Sequence, residues 1–190
     1  MIVQKPENIL IDREGYAKLT DFGFAKILSP GSRAYTLCGT PEYIAPEVLL
    51  GKGHGAAVDW WTLGILIYEM LVGQPPFCDD EPMGIYQKIL TGKVYFPKYV
   101  DKSAKTLVKS LLQADLSKRF GNLQAGSKDI LESAWFGSVK LDKLLTRQIA
   151  APFKPFTRSE ADMSNFDAVA ESEDLTHAVI SHEEDPFINW

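Results

Sequence analysis

Two short strings near the start of this 190-residue chain hold the side chains best suited to chemistry. Lys5-Pro6-Glu7-Asn8 sets a cation, a carboxylate and an amide side by side, and Asp21-Phe22-Gly23 supplies a second carboxylate next to a glycine. Asn8 and Asp21 offer the oxygen ligands that a hard cation such as Mg²⁺ takes. Lys5 supplies a point charge of the kind that meets phosphate. To act together, the two strings must be folded onto each other.

The intervening residues can do this. Ile9 to Asp12 and Ala17 to Thr20 are short apolar runs around Arg13-Glu14-Gly15-Tyr16, which predicts a small hairpin. After Gly23 the breakers Ser29-Pro30-Gly31, Gly39, Pro41 and Pro46 mark a long irregular segment, and its Tyr35, Leu37, Tyr43 and Ile44 favour a functional loop. Asp59 to Val72 reads as a helix apolar on nearly every face, ending at Gly73, and such a helix belongs at the centre of a fold. Further helices are expected over Pro82 to Thr91 on Ile85, Ile89 and Leu90, from an N-cap at Ser103 with Leu107, Val108, Leu111 and Leu112 inward, and from Ser127 to Ser133 with Trp135-Phe136 behind it. The result is a mostly helical body over 1–137 and an irregular tail over 138–190, with aromatic pairs at Phe153/Phe156 and Phe187/Trp190.

Composition narrows the class. A hydrophobic content of 45% supports a real core, and 24% charged residues mark a globular protein. The apolar run from Trp60 to Val72 is broken by Thr62, Gly64 and Glu69 and is short for a membrane span. No secretory signal is read at the start. Cys38 and Cys78 lack metal-type spacing with the histidines, so neither a disulfide framework nor a zinc site is expected, and a reducing cytosolic or nuclear setting fits. Charge is polarised: from Arg158 to Trp190 nine acidic residues face one basic, a net −8, while the rest is +3. That distribution argues against nucleic-acid binding and suits either a tail lying back on its body or a solvated tail.

Five strings in this order carry a family resemblance: "KPEN" at 5–8, "DFG" at 21–23, "GTPEYIAPE" at 39–47, "DWWTLGILIYEM" at 59–70 and "KRFG" at 118–121. They resemble the large lobe of a eukaryotic serine/threonine protein kinase, and "DFGFAK", "LCGTPEY" and "DWWTLG" resemble the AGC group. "SNFD" at 164–167 and the terminal Phe187 to Trp190 are similar to the C-terminal tail of cAMP-dependent kinases. The implied fold is mainly α: a kinase-like large lobe with one short β-hairpin, the small lobe missing, plus an AGC-type tail.

The resemblance implies ATP and Mg²⁺ as cofactors, with Asn8 and Asp21 as metal ligands and Lys5 on the transferring phosphate. Leu10 would floor the adenine ring and Thr20 bond near it, although strand core and strand edge are equally available readings; Phe166 would approach the nucleotide. Glu7 and Glu69 would pair with a substrate arginine, although Glu69 could also be a helix charge, and Leu37 with Ile44 would form an apolar pocket after the phosphoacceptor. Thr36 is the implied phosphosite, with Lys26 as a cation partner. Glu47 with Arg119 would form a buried salt bridge, and Asp59 would cap its helix or anchor the catalytic loop. Implied partners are Arg-containing protein substrates and a cAMP-binding regulatory subunit.

The departures are specific. Val3 stands where the family has its catalytic aspartate, and Ile2 where it has the arginine that reads phosphorylated Thr36. Positioned base catalysis typically contributes about 10²- to 10⁴-fold. No glycine-rich loop, strand lysine or paired helix glutamate precedes Lys5, and Val169 replaces a tail tyrosine. The expectation is a truncated kinase, inactive alone, with one flank of the central helix open and the body aggregation-prone. The alternative is a non-catalytic module that binds regulatory or inhibitory partners around Tyr35, Trp60 and the Pro82 to Thr91 helix.

Overall fold

A computed structural model describes residues 5–29 and 31–168. The chain divides into two compact units, Met1–Lys154 and Pro155–Trp190. Met1 to Gln4, with Ile2 and Val3, and the tail positions Val169, Phe187 and Trp190 lie outside the described residues.

The first unit begins with a 3₁₀ turn, Pro6–Asn8, followed by β1 (Ile9–Ile11) and β2 (Ala17–Leu19). The strands pair antiparallel with Ile9 opposite Leu19 and Ile11 opposite Ala17. The turn is closed by Asp12, whose Oδ1 accepts from the backbone N–H of Glu14 at 3.0 Å and of Tyr16 at 2.9 Å. Gly15 sits at φ +91°, and a Cβ there would come within 2.1 Å of the Phe153 carbonyl oxygen, so no other residue fits without moving that segment. Leu10 is 45% exposed, which removes the strand-core reading for it.

Helix α1 (Pro46–Leu49) follows the long segment, and α2 (Ala57–Val72) is the central element. It starts earlier than expected: Ala56 is the N-cap residue and supplies no side-chain bond, so Asp59 lies inside the first turn and does not cap the helix. Gly73 ends it at φ +89°, a left-handed C-terminal stop. In α3 (Pro82–Thr91) Ile85 and Ile89 are buried, but Leu90, one step of 100° from Ile89, turns outward and is 46% exposed.

The N-cap of α4 (Lys102–Leu111) is Asp101 and not Ser103. The Asp101 carboxylate accepts from the N–H groups of Ser103 and Ala104, while the Ser103 hydroxyl donates to the same carboxylate. One residue of offset decides this, because the capping oxygen must reach N–H groups two and three positions on. Helix α5 (Lys128–Leu131) is shorter than expected and is followed by a 3₁₀ turn, Ala134–Phe136. Helix α6 (Leu141–Leu145) forms where the sequence suggested only irregular chain.

The core gathers Trp61, Ile65 and Ile67 of α2 with Leu107, Val108 and Leu111 of α4, Ile85 and Ile89 of α3, and Phe77 between them. Burying each such side chain contributes roughly 1.5–3 kcal/mol. Gly64 allows α2 and α4 to meet, since a Cβ there would be 2.9 Å from both Leu111 Cβ and Leu112 Cδ2. Where one flank of α2 was expected to be open, Met70 alone of its apolar side chains is exposed, and Trp60, Leu63, Leu71 and Val72 are half-buried. Beneath the core Arg119, wholly buried, donates from Nη1 and Nη2 to the Glu47 carboxylate at 2.6 and 2.8 Å. Its remaining bonds go to the carbonyls of Gln113 and Ala57, and its guanidinium lies 5.2 Å from the Trp61 ring centre. No helix among the described residues is long and apolar enough to cross a membrane.

Candidate phosphate and substrate site

The hairpin brings Asn8 and Asp21 together. Asn8 closes the 3₁₀ turn through its N–H to the Lys5 carbonyl at 3.0 Å, and its own carbonyl accepts from the Thr20 N–H at 2.9 Å. The chain therefore leaves β2 beside the point where it entered β1, and the next residue is Asp21. Asp21 adopts φ +58°, a left-handed conformation that aspartate tolerates better than most residues. Its Oδ1 accepts from the Gly23 N–H at 3.3 Å.

Lys5 is tied to the far end of the long segment: its Nζ donates to Thr40 Oγ1 at 3.2 Å. Lys5, Asn8, Asp21, Phe24, Gly39 and Thr40 together line a cleft of about 210 Å³. Thr40 was not picked out in the sequence, and its place in the "GTPEY" string was the available signal. The donor set of the cleft is one carboxylate, one amide oxygen and one hydroxyl, with one ammonium. Among the described residues there is no cluster of three or more His, Cys, Asp or Glu able to hold a metal ion unaided. A cation there would need water and phosphate oxygens to complete its shell, and this fits Mg²⁺, which binds through one or two protein ligands plus substrate phosphates. Leu10, exposed in β1, and Thr20, half-buried just after β2, are not among the residues that line this cleft.

A second cavity, of about 350 Å³, lies under the middle of the segment. Lys26, Thr36, Cys38, His54 and Asp59 all contribute to its lining, so the expected phosphosite and its cation do share one space. Its wall is stitched by an isolated bridge in which Ala34 and His54 exchange backbone hydrogen bonds, both at 2.9 Å. Burial holds the His54 imidazole below its ordinary value, against the opposing pull of Glu47 and Asp59. His54 was missed in the sequence because a lone histidine in a glycine-rich loop carries no pattern.

The third group is acidic. Glu69, half-buried in α2, accepts a hydrogen bond from the Tyr43 hydroxyl. The phenol of Tyr43 is pushed well above its usual range by burial, then by Glu69, and further by Glu7 and Glu42. The charges of three carboxylates thus act on one phenol, and the partner that Glu69 required is Tyr43. Leu37 is 59% exposed whereas Ile44 is buried in the core, so of that pair only Leu37 offers surface. In the second unit Phe166 is exposed, in a short turn where Asp162 accepts from the N–H groups of Arg158 and Ser164.

Residues 4–136 match the protein kinase domain. The chain is 52% identical over 187 residues to the mouse cAMP-dependent protein kinase catalytic subunit PRKX, covering 98% of this chain and 52% of that protein. It is 54% identical over 169 residues to the human PRKX, covering 89% of this chain and 47% of that protein. To the cAMP-dependent protein kinase catalytic subunit of Dictyostelium discoideum it is 49% identical over 183 residues, 96% of this chain and 28% of that protein. The chain spans about half the length of the two PRKX relatives. With the cleft, the segment and the buried ion pair in place, the chain belongs to the protein kinase family and resembles the catalytic subunits of cAMP-dependent protein kinases.

Proposed function

We propose that this chain is the phosphate- and substrate-holding part of a serine/threonine kinase of the cAMP-dependent type. Its reaction is transfer of the ATP γ-phosphate to serine or threonine in Arg-containing proteins. The observation that carries this reading is the convergence of Lys5, Asn8, Asp21 and Thr40 on one cleft.

In this mechanism Asn8 and Asp21 would hold Mg²⁺, which would supply neutralisation of phosphate charge. Lys5 holds the phosphoryl group as a point charge, kept in place by Thr40. Glu7, Glu69 and the additional Glu42, whose charges all act on Tyr43, supply negative potential for a guanidinium, to which carboxylates can bind bidentately. Leu37 is the exposed apolar contact for the residue after the phosphoacceptor. Lys26 pairs with Thr36 once it is phosphorylated, and Leu10 and Thr20 take the adenine side. Phosphorylation adds close to two negative charges. With Val3 in place of an aspartate, no carboxylate of this loop takes the substrate hydroxyl proton, so the chain alone is inactive as an enzyme.

Residues 138–190 form the AGC-type tail, the setting is cytosolic or nuclear, and a cAMP-binding regulatory subunit is the partner. A second reading, a non-catalytic interaction module, is favoured by Tyr35 at 68% and Met83 at 66% exposure. Retention of the folded chain on a kinase regulatory subunit, lost in Tyr35→Ala, would support it.

The nucleotide reading is tested by binding. ADP with Mn²⁺ as a paramagnetic substitute should broaden the NMR signals of Asn8 and Gly23 in the parent chain and leave them sharp in Asp21→Ala. Equal broadening in both proteins would remove Asp21 from the site.

A further inference from the structure

Between residues 93 and 109 the surface carries five lysines, Lys93, Lys98, Lys102, Lys105 and Lys109, against a single carboxylate, Asp101, and no arginine. That carboxylate is engaged in capping α4. Among the described residues none of the five lysines forms an ion pair. None belongs to the phosphate or substrate groups described above.

The fold assembles these charges into one face. Helix α4 buries Ala104, Leu107, Val108 and Leu111, and at about 100° per residue Lys102, Lys105 and Lys109 fall together on the opposite side. The preceding segment runs back along the helix. The Phe96 ring lies 5.8 Å from Lys109 Nζ at its C-terminal end, while Asp101 caps its N-terminus. A turn in which the Val100 N–H donates to the Pro97 carbonyl at 3.3 Å places Lys98 and Tyr99 next to the N-terminal end of that row. Tyr95 and Tyr99 are 67% and 71% exposed, and Lys93 Nζ lies 4.9 Å from the centre of the Tyr95 ring.

We propose that this face docks reversibly on a bilayer surface rich in anionic lipid headgroups. Its cations are all lysines, hydrated point charges suited to a diffuse anionic field, whereas recognition of carboxylates on a peptide favours the planar fork of arginine. Clusters of four to eight basic residues on an amphipathic helix are the pattern for such surfaces. The two exposed tyrosines fit the same partner, because their amphipathic rings are favoured at the headgroup level.

The test is sedimentation of the full chain with vesicles of phosphatidylcholine alone and of phosphatidylcholine with phosphatidylserine. The parent should bind only the anionic vesicles, and more weakly as salt is raised. At roughly fivefold per lysine, the triple variant Lys98→Gln, Lys102→Gln, Lys105→Gln should lose about 100-fold in affinity with an unchanged melting temperature. A control carrying Lys140→Gln, Lys143→Gln and Lys154→Gln changes net charge equally and should bind within a few-fold of the parent. The proposal is overturned if the parent ignores anionic vesicles, binds neutral ones as well, or loses no affinity in the triple variant. Binding of poly-glutamate through the same lysines, with vesicles ignored, would reassign the face to an acidic polypeptide.

Discussion

Arg119 has no route to water, and its four hydrogen bonds join three separate parts of the chain: Glu47, Ala57 and Gln113. Removing it leaves the Glu47 carboxylate buried and unpaired. Arg119→Ala should therefore cost about 3–5 kcal/mol in urea unfolding, and the double replacement Arg119→Met with Glu47→Leu should recover much of that loss. His54 makes a prediction in pH. Its folded-state value lies below the ordinary 6.5 because of burial, so the unfolded chain binds the extra proton. Stability is then complete above about 6.5 and declines as pH falls through that value toward the lower one in the folded state. The melting temperature should drop between neutral pH and pH 5 by more in the parent than in His54→Leu, and parallel curves would refute the role. Arg119 and Glu47 were legible because each stands in a string with few alternatives. Tyr43 as the partner of Glu69 was not, since a hydrogen bond between the long loop and α2 follows from packing and not from spacing.

At the scale of elements, the α2–α4 contact depends on the absence of a side chain at Gly64. A glycine in mid-helix costs up to about 1 kcal/mol of helix propensity, and the approach of Leu111 and Leu112 makes that cost worthwhile. Gly64→Leu should destabilise the protein by about 3 kcal/mol, read as a shift in denaturation midpoint without a change in slope. The hairpin, α2 and α3 were readable because their apolar spacing and their glycine and proline boundaries agree. Asp101 and Ser103 are both good capping residues, and only backbone geometry chose between them. Helix α6, five residues long, has too little periodicity to be seen in a sequence, and Arg147 follows it in a left-handed conformation at φ +57°.

On the scale of the whole molecule, the buried hydrophobic cluster lies between Tyr43 and Ile130, entirely within the first compact unit. A chain lacking residues 155–190 should keep its cooperative thermal transition within a few degrees, checked by calorimetry; loss of that transition would place part of the core elsewhere. The start of this unit is fastened to its end. The Arg147 guanidinium donates to Glu14 at 2.9 Å and Asp12 at 3.3 Å, and the Tyr16 hydroxyl donates to the Ile149 carbonyl at 2.7 Å. Those contacts bridge 133 to 135 residues of sequence. During synthesis at about 5–20 residues per second, the hairpin that aligns Asn8 with Asp21 would wait roughly 7–30 s for the segment that holds its turn. The candidate phosphate cleft is therefore made well before the segment that fixes it, and its waiting strands are a natural client for a chaperone acting at the ribosome.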